Sequence, residues 1–288
     1  MTAVGLALLC ALAYGSSDFV AGLTSRRMHY ARVGLLGQLA ATVAVWAAVP
    51  FTGGSVTTRA LVWGALSGIG GGVGTVALYR GLARGQMAVA GPVSAAGAAV
   101  VPVVAGLLFG ERPSAVTLAG VVVVVPAIWL ISSGSSDGDG AGDGVRRGGL
   151  VEGAVDGLVA GLGFGLLFLG LGRAGHGSGL WPTAFGQVTS LAVVVLFAAA
   201  TRGRVRGPGG TTPQRLAAVG SGVLSAVATV TYLLSARFGL IVVVAVLASL
   251  YPGVTVLLAR VVLHERMSRW QLAGLAVAAA GIVAITVG

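Results

Sequence analysis

Few residues of this sequence have side chains that could do chemistry inside an otherwise apolar chain, and Asp18 is the clearest of them. Asp18 lies in the first hydrophobic stretch, close to Tyr14 and Ser17 and about five residues from the end of that stretch. A charged group inside a bilayer is costly and usually faces a cavity, a partner or a transport pathway. We therefore expect these three residues to bind a solute or a proton, and a wetted position at the membrane surface is the alternative for Asp18.

Two glutamines, Gln38 and Gln187, occupy matching places in two other apolar stretches. A side-chain amide in lipid must find a hydrogen-bond partner, which is either a neighbouring helix or a substrate, and both interpretations stay open. Aromatic hydroxyls and a serine in further stretches could line the same pocket. The candidate substrate-binding set is completed by Tyr79, Tyr232, Ser249 and Tyr251.

The residue pattern does not favour a metalloenzyme or an ATP-driven pump. His264-Glu265 begins like the helix of a zinc protease, but Ser268 stands where the second histidine is needed. The chain contains no lysine, so it has no phosphate-loop lysine. We expect no catalytic residues, no metal, no other cofactor and no enzyme activity.

Composition indicates a membrane protein. The chain has 288 residues, of which 56% are hydrophobic and 9% charged, too apolar for an ordinary soluble domain. Ten apolar stretches approach the ~20 residues that cross a bilayer as a helix. They cover roughly residues 3–23, 31–51, 60–82, 87–109, 114–133, 150–171, 180–200, 214–236, 240–263 and 268–287.

The net charge of +10 comes from arginines placed mainly between and at the ends of these stretches, which orients a membrane protein and does not indicate nucleic-acid binding. Connections after odd-numbered stretches carry fourteen arginines, against four after even-numbered ones. Because positive charge is retained in the cytoplasm, this asymmetry predicts odd connections inside and both termini outside.

Residues 60–131 and 214–285 form an internal repeat with an offset of 154 positions. Each half contains five predicted spans, and an odd number makes the second half enter the membrane from the opposite face. We therefore predict an all-α integral membrane protein of ten transmembrane helices in two inverted five-helix repeats, 1–133 and 150–288, joined by a flexible linker at 134–149. Matching positions include Ser67-Gly68 with Ser221-Gly222, Thr75 with Thr229, Glu111-Arg112 with Glu265-Arg266, and Gly37-Gln38 with Gly186-Gln187.

Several other features have a structural interpretation beside a functional one. The two Glu-Arg pairs are expected to cap tight turns, with a gating salt bridge as the alternative. Asp156 and Glu152 are expected to form a charge cluster with Arg146 and Arg147 at headgroup level. The glycines of the third span favour close helix packing over ligand binding.

Prolines are expected to interrupt helices at membrane depth, which makes the fourth and ninth spans candidates for moving elements. The prolines concerned are Pro92, Pro102, Pro126 and Pro252.

In its motifs and their order the chain resembles the drug/metabolite transporter superfamily, specifically proteins with two EamA-type domains. The motifs are Tyr14-Gly15-Ser16-Ser17-Asp18-Phe19, Leu78-Tyr79-Arg80-Gly81-Leu82, Gly110-Glu111-Arg112 and His264-Glu265-Arg266. The resemblance implies two inverted five-helix repeats around a central cavity lined by the first four spans of each half. Members are often drawn with cytoplasmic termini, contrary to the arginine asymmetry.

These observations predict a secondary transporter, a permease of small organic solutes such as a metabolite, amino acid or drug-like compound. We expect efflux by alternating access, in a bacterial plasma membrane. The expected partners are a small-molecule substrate and the lipid bilayer, with protons as the candidate coupling ion, a homodimer as an open possibility, and no nucleic acid. A non-transporting scaffold or sensor subunit and an integral membrane enzyme are the alternatives.

Overall fold

A computed structural model describes residues 2–83, 87–133, 147–200, 210–264 and 267–288, and these residues form helices joined by short connections, with no strand among them. Eleven α-helices follow one another within the described ranges, and a 3₁₀ turn at Val49–Phe51 follows the second. They are α1 Thr2–Ser25, α2 Tyr30–Ala48, α3 Thr58–Ala83, α4 Met87–Leu108, α5 Ala115–Ser133, α6 Arg147–Arg173, α7 Trp181–Ala200, α8 Thr212–Phe238, α9 Ile241–Ala248, α10 Tyr251–Val262 and α11 Arg269–Val287.

The helices have the length and composition of membrane spans. In the described part of the chain, nine segments are long and apolar enough to cross a bilayer, and α4 adds a shorter apolar stretch, Val93–Leu108. Helices α9 and α10 together make one of the nine, Ile241–Val262. The predicted all-α, multi-pass membrane fold with ten spans is confirmed.

Only one of the expected proline interruptions ends a helix. Helix α9 stops at Ala248 and α10 starts at Tyr251, with Pro252 in its first turn. In contrast, α4 runs unbroken through Pro92 and Pro102, and α5 through Pro126, so the interruptions predicted there are wrong. A proline removes one backbone hydrogen bond, and the helix continues where tertiary packing holds the flanking turns.

Helices from the first half of the chain pack mainly against helices from the second half. Helix α1 packs on α8, α2 on α7 and α8, α3 on α6 and α7, α4 on α6, and α5 on α11. Glycine permits the closest of these approaches. A Cβ atom added at Gly222 would lie 2.0 Å from the carbonyl oxygen of Gly37, and one at Gly68 would lie 2.0 Å from that of Gly186. The predicted packing role of the third-span glycines agrees with these contacts.

The half-helix α9 lies in the centre of the molecule, and all eight of its residues are buried. Its side chains share one apolar core with Cys10 of α1 and Tyr232 of α8. The carboxylate of Glu111, in the turn before α5, accepts hydrogen bonds from the backbone N–H groups of Ile241 and Val242, each at 2.9 Å.

Glu111 therefore caps a helix from the other half of the chain, whereas the sequence predicted that it caps its own tight turn. Its neighbour Arg112 donates to the carbonyl oxygens of Leu107 and of Glu111 itself. The second pair, Glu265-Arg266, lies outside the described residues.

Candidate functional site

A central cavity of about 170 Å³ lies between helices contributed by both halves of the chain. Its walls come from α1, α2, α3, α6, α7 and α8 and from the first residue of α10. Six residues of the candidate binding set line this cavity: Tyr14, Ser17, Asp18, Gln38, Gln187 and Tyr251. The cavity therefore brings together polar side chains from distant parts of the sequence.

Asp18 is the one charged residue among the described residues that line the cavity. Its side chain is exposed, and it makes no hydrogen bond or ion pair with the described residues. No cationic side chain among the described lining residues pairs with this carboxylate, so it is open to a bound cation or a proton. Asp18 lines the cavity, and its role in binding stays a prediction.

Aromatic rings form the wall next to Asp18. The ring centroid of Tyr14 is 6.2 Å from that of Tyr251 and 6.2 Å from that of Phe168, which it meets edge-on. Phe168 in turn stacks on Tyr232 with a centroid separation of 4.6 Å. Tyr14, Tyr251 and Phe168 therefore form one aromatic group in the lining of the cavity that also contains Asp18.

Gln38 and Gln187 bind each other across the cavity. The side-chain Nε2 of Gln38 donates to Oε1 of Gln187 at 2.6 Å, and Nε2 of Gln187 donates to the Thr229 hydroxyl at 3.4 Å. The structure therefore contains the hydrogen bond between helices that was one of the two interpretations of these amides. Both residues also line the cavity, so a substrate role for them stays a prediction.

The remaining members of the candidate set differ in position. The hydroxyl of Ser17 donates to the carbonyl oxygen of Ser221 at 2.8 Å and so joins α1 to α8. Tyr232 and Ser249 are fully buried and do not line the cavity, since Tyr232 lies in the apolar core and Ser249 in the turn between α9 and α10. The side chain of Tyr79 lies outside the described residues. The participation of these four residues in binding stays a prediction.

Several cavity residues were not singled out as binding residues from the sequence. The polar ones include Ser67, Thr75, Ser190, Ser221, Ser225 and Thr229, and the aromatic ones Phe164 and Phe168. Many of them occupy positions that match between the two copies of the internal repeat. Ser67-Gly68 and Ser221-Gly222, Thr75 and Thr229, and Gly37-Gln38 and Gly186-Gln187 are repeat pairs, and all of these residues line the cavity.

Polar contacts join the two halves at opposite ends of α3. Near its beginning, Nε of Arg59 donates to the carbonyl oxygen of Arg173 at 2.7 Å. The adjoining loops also meet, because the N–H of Ser55 donates to the carbonyl oxygen of Gly177 at 3.3 Å.

Near the end of α3, Nε of Arg80 donates to Oδ1 of Asp156 on α6 at 2.8 Å. The Asp156 side chain is 1% exposed and that of Arg80 43% exposed. Asp156 therefore lies in a buried contact between helices, with a partner that was not predicted from the sequence, and its cluster with Arg146 and Arg147 stays a prediction. Arg146 lies outside the described residues, as does the side chain of Arg147.

Comparisons with known proteins identify the family. The model of the EamA-like transporter family matches residues 1–133 and 152–287. A solved structure described only as "Crystal structure of protein" superposes with a TM-score of 0.77 at 18% sequence identity, covering 99% of this chain and 96% of that one. At this identity the likeness shows the fold alone. No curated protein sequence matches the chain.

Proposed function

Because the chain belongs to the EamA-like transporter family, we propose that it is a secondary transporter of small organic solutes, which bind in the central cavity. The observation that carries the proposal is the cavity itself. Residues from both family-matched segments line it, and it lies within a bundle of membrane-spanning helices. Binding between two halves of a multi-pass protein is the arrangement that secondary transporters use.

The proposed mechanism is alternating access between two inverted repeats. The halves are joined by Arg59 at one end of α3 and by Arg80 at the other, about 21 residues apart, which is roughly 30 Å of helix. Opening the cavity to either face requires that one of these connections loosen while the other holds. We propose export across the bacterial plasma membrane as the direction to test first.

Protons are the proposed coupling ion, through Asp18. Protonation neutralises a carboxylate that has no partner among the described residues, so proton binding and release would change the charge of the cavity. The titratable side chains that line the cavity beside it are Tyr14 and Tyr251.

Solute-dependent thermal stabilisation of the purified protein across a metabolite library would identify ligands, and counterflow in proteoliposomes would then test transport. We expect Ser225→Trp to fill the cavity and abolish counterflow. Leu216→Trp is the matched control on the same helix, because Leu216 is 66% exposed on the outer surface and does not line the cavity. Equal counterflow in both variants would contradict transport through this cavity.

A non-transporting scaffold or sensor predicts a different outcome in the same assay. Such a protein could be stabilised by a solute, but it would show no counterflow of that solute above empty liposomes. Stabilisation without counterflow across all library hits would therefore favour the scaffold over the transporter.

A further inference from the structure

We infer that the solutes of this cavity are small organic monocations, amines or quaternary ammonium compounds, bound by the Asp18 carboxylate and the rings of Tyr14 and Tyr251. The inference rests on the proposed function, because it assigns a substrate class to the proposed transport site. Three properties of the cavity lead to it: its charge, its aromatic wall and its volume.

The charge of the cavity is negative and unbalanced. Among the described lining residues Asp18 carries a charge, and no arginine or histidine lines the cavity beside it. Two arginines that lie two residues from lining residues contact other groups: Arg80 donates to Asp156, and the guanidinium of Arg173 lies over the ring of Phe109. Within this described lining an anion would meet no positive group, and a zwitterion would leave its carboxylate without a cationic partner.

The aromatic wall supplies the second half of a cation site. An aromatic ring attracts a cation over its face, and this interaction recognises quaternary ammonium groups when water is excluded. Tyr14 lies between the rings of Tyr251 and Phe168, with centroid separations of 6.2 Å on each side. The carboxylate and the rings therefore converge on one part of the cavity, where Asp18 and Tyr14 are one helical turn apart on α1.

The volume favours compounds with one ring. The cavity measures about 170 Å³, and an apolar cavity of roughly 150 Å³ is known to hold benzene. The remaining polar lining, including the bonded pair Gln38 and Gln187, consists of neutral groups that can accept hydrogen bonds from an amine in place of water.

The test uses three probes of similar shape and different charge: benzyltrimethylammonium, neutral neopentylbenzene and anionic phenylmethanesulfonate. Binding to the purified full-length protein in neutral detergent is measured by calorimetry at constant ionic strength. We expect the cation to bind at least tenfold more tightly than the neutral probe, and the anion not to bind. Equal affinity for the cationic and neutral probes would overturn the inference.

Variants separate the role of Asp18 from the overall charge of the protein. Asp18→Asn is expected to reduce cation affinity at least tenfold, whereas Glu152→Gln, which removes the same charge outside the cavity lining, is expected to leave it unchanged. If Asp18→Asn does not fold, Asp18→Glu should keep the preference for the cation. Tyr14→Leu should weaken cation binding more than Tyr14→Phe, which retains the ring. An unchanged cation affinity in Asp18→Asn or in Tyr14→Leu would refute the assignment.

Counterflow of the cationic probe and of the library solutes distinguishes this inference from the proposed function. If neutral or zwitterionic solutes are exchanged and cations are not, the cation assignment fails and the transporter stands. If cations bind in an Asp18-dependent way but no solute is exchanged, the transporter proposal fails and the cation site remains.

Discussion

At the scale of single residues, the bond between Gln38 and Gln187 joins two helices across the cavity. We predict that Gln38→Leu and Gln187→Leu are coupled in a double-mutant cycle, because each removes the same hydrogen bond of 2.6 Å. The expected coupling is about 0.6 kcal/mol, the average for hydrogen bonds between membrane helices, with about 1.7 kcal/mol as the upper bound. It would be measured from reversible unfolding of the four proteins in mixed micelles.

The control cycle pairs Gln187→Leu with Thr117→Val, since Thr117 lies on α5 and bonds locally with Ser114. That cycle should show no coupling beyond measurement error. Additive effects of the two glutamine substitutions would mean that the amides do not bind each other in the membrane.

Polar and aromatic residue types in apolar spans predicted six of the cavity residues. Others could not be predicted from the sequence, because it does not show which helix face is turned to the cavity. Asp18, Gln38 and Gln187 stood out because polar groups are rare in such spans. A sequence indicates how deep a residue lies in the membrane, but not which neighbour its helix face meets. Tyr232 therefore looked like a pocket residue although it lies in the core, and the partner of Asp156 was 76 positions away.

At the scale of helices, the contact of α2 with α8 depends on the absence of a side chain. We predict that Gly222→Ala lowers the free energy of unfolding by about 1–3 kcal/mol, because its Cβ would lie 2.0 Å from the carbonyl oxygen of Gly37. Gly220→Ala is a matched control two residues away, with nothing within 4 Å of the added Cβ. It should be neutral or slightly stabilising, since alanine favours helix over glycine.

Chemical unfolding of both variants gives the comparison directly. Equal stability of the two would indicate that the helices separate easily at this contact, contrary to the packing described.

The cap of α9 gives a graded prediction. Glu111→Gln leaves one oxygen to accept from the backbone of α9, whereas Glu111→Ala leaves the N–H groups of Ile241 and Val242 without this acceptor. We expect losses of stability that increase from Gln to Ala, with about 1–3 kcal/mol for Ala. Thermal unfolding in detergent measures the order.

Arg112→Ala is the neighbouring control, since its bonds to the Leu107 and Glu111 carbonyl oxygens are exposed and its loss should be smaller. A larger loss for Arg112→Ala than for Glu111→Ala would show that the cap contributes little.

Helix limits were partly predictable for a local reason. Hydrophobic length predicts a span, and Pro252 correctly predicted the break between α9 and α10. Pro102 and Pro126 have the same local effect, yet α4 and α5 continue through them. Whether a helix tolerates the lost hydrogen bond depends on tertiary packing, which local sequence does not contain.

At the scale of the whole molecule, the two connections between the halves should control opposite openings. We predict that Asp156→Asn raises the labelling of a cysteine at Ser225 by an impermeant reagent added from the Arg80 end of α3. Arg59→Ala should raise labelling from the other end, where it removes the bond to Arg173. Right-side-out and inverted vesicles provide the two faces.

The protein that carries Ser225→Cys without a second substitution is the reference for both vesicle types. An increase from the same face in both variants would contradict alternating access.

Inverted topology is tested by cysteines in loops that the repeat makes equivalent. Arg27→Cys follows α1 and His176→Cys follows α6, and both positions are exposed. Inverted repeats predict that reagents reach them from opposite faces, and reaction of both from one face would exclude this topology.

Hydrophobic length predicted ten spans and the repeat predicted two halves, but neither showed which helices of the two halves contact each other. Duplicated sequence suggests two self-contained bundles, whereas α1 packs on α8, α3 on α6 and α4 on α6. Contacts between distant segments arise from shape matching of whole helix surfaces, and one sequence does not show which surfaces match. The cavity follows from this interleaving, since its walls alternate between the halves.

The rate at which the single cysteine of the chain is modified reports how often the packed interior opens. Cys10 is fully buried in the core that surrounds α9, so a thiol reagent can reach it only when α1 separates from its neighbours. Its rate of modification therefore measures how often the packed centre comes apart, without any engineered probe.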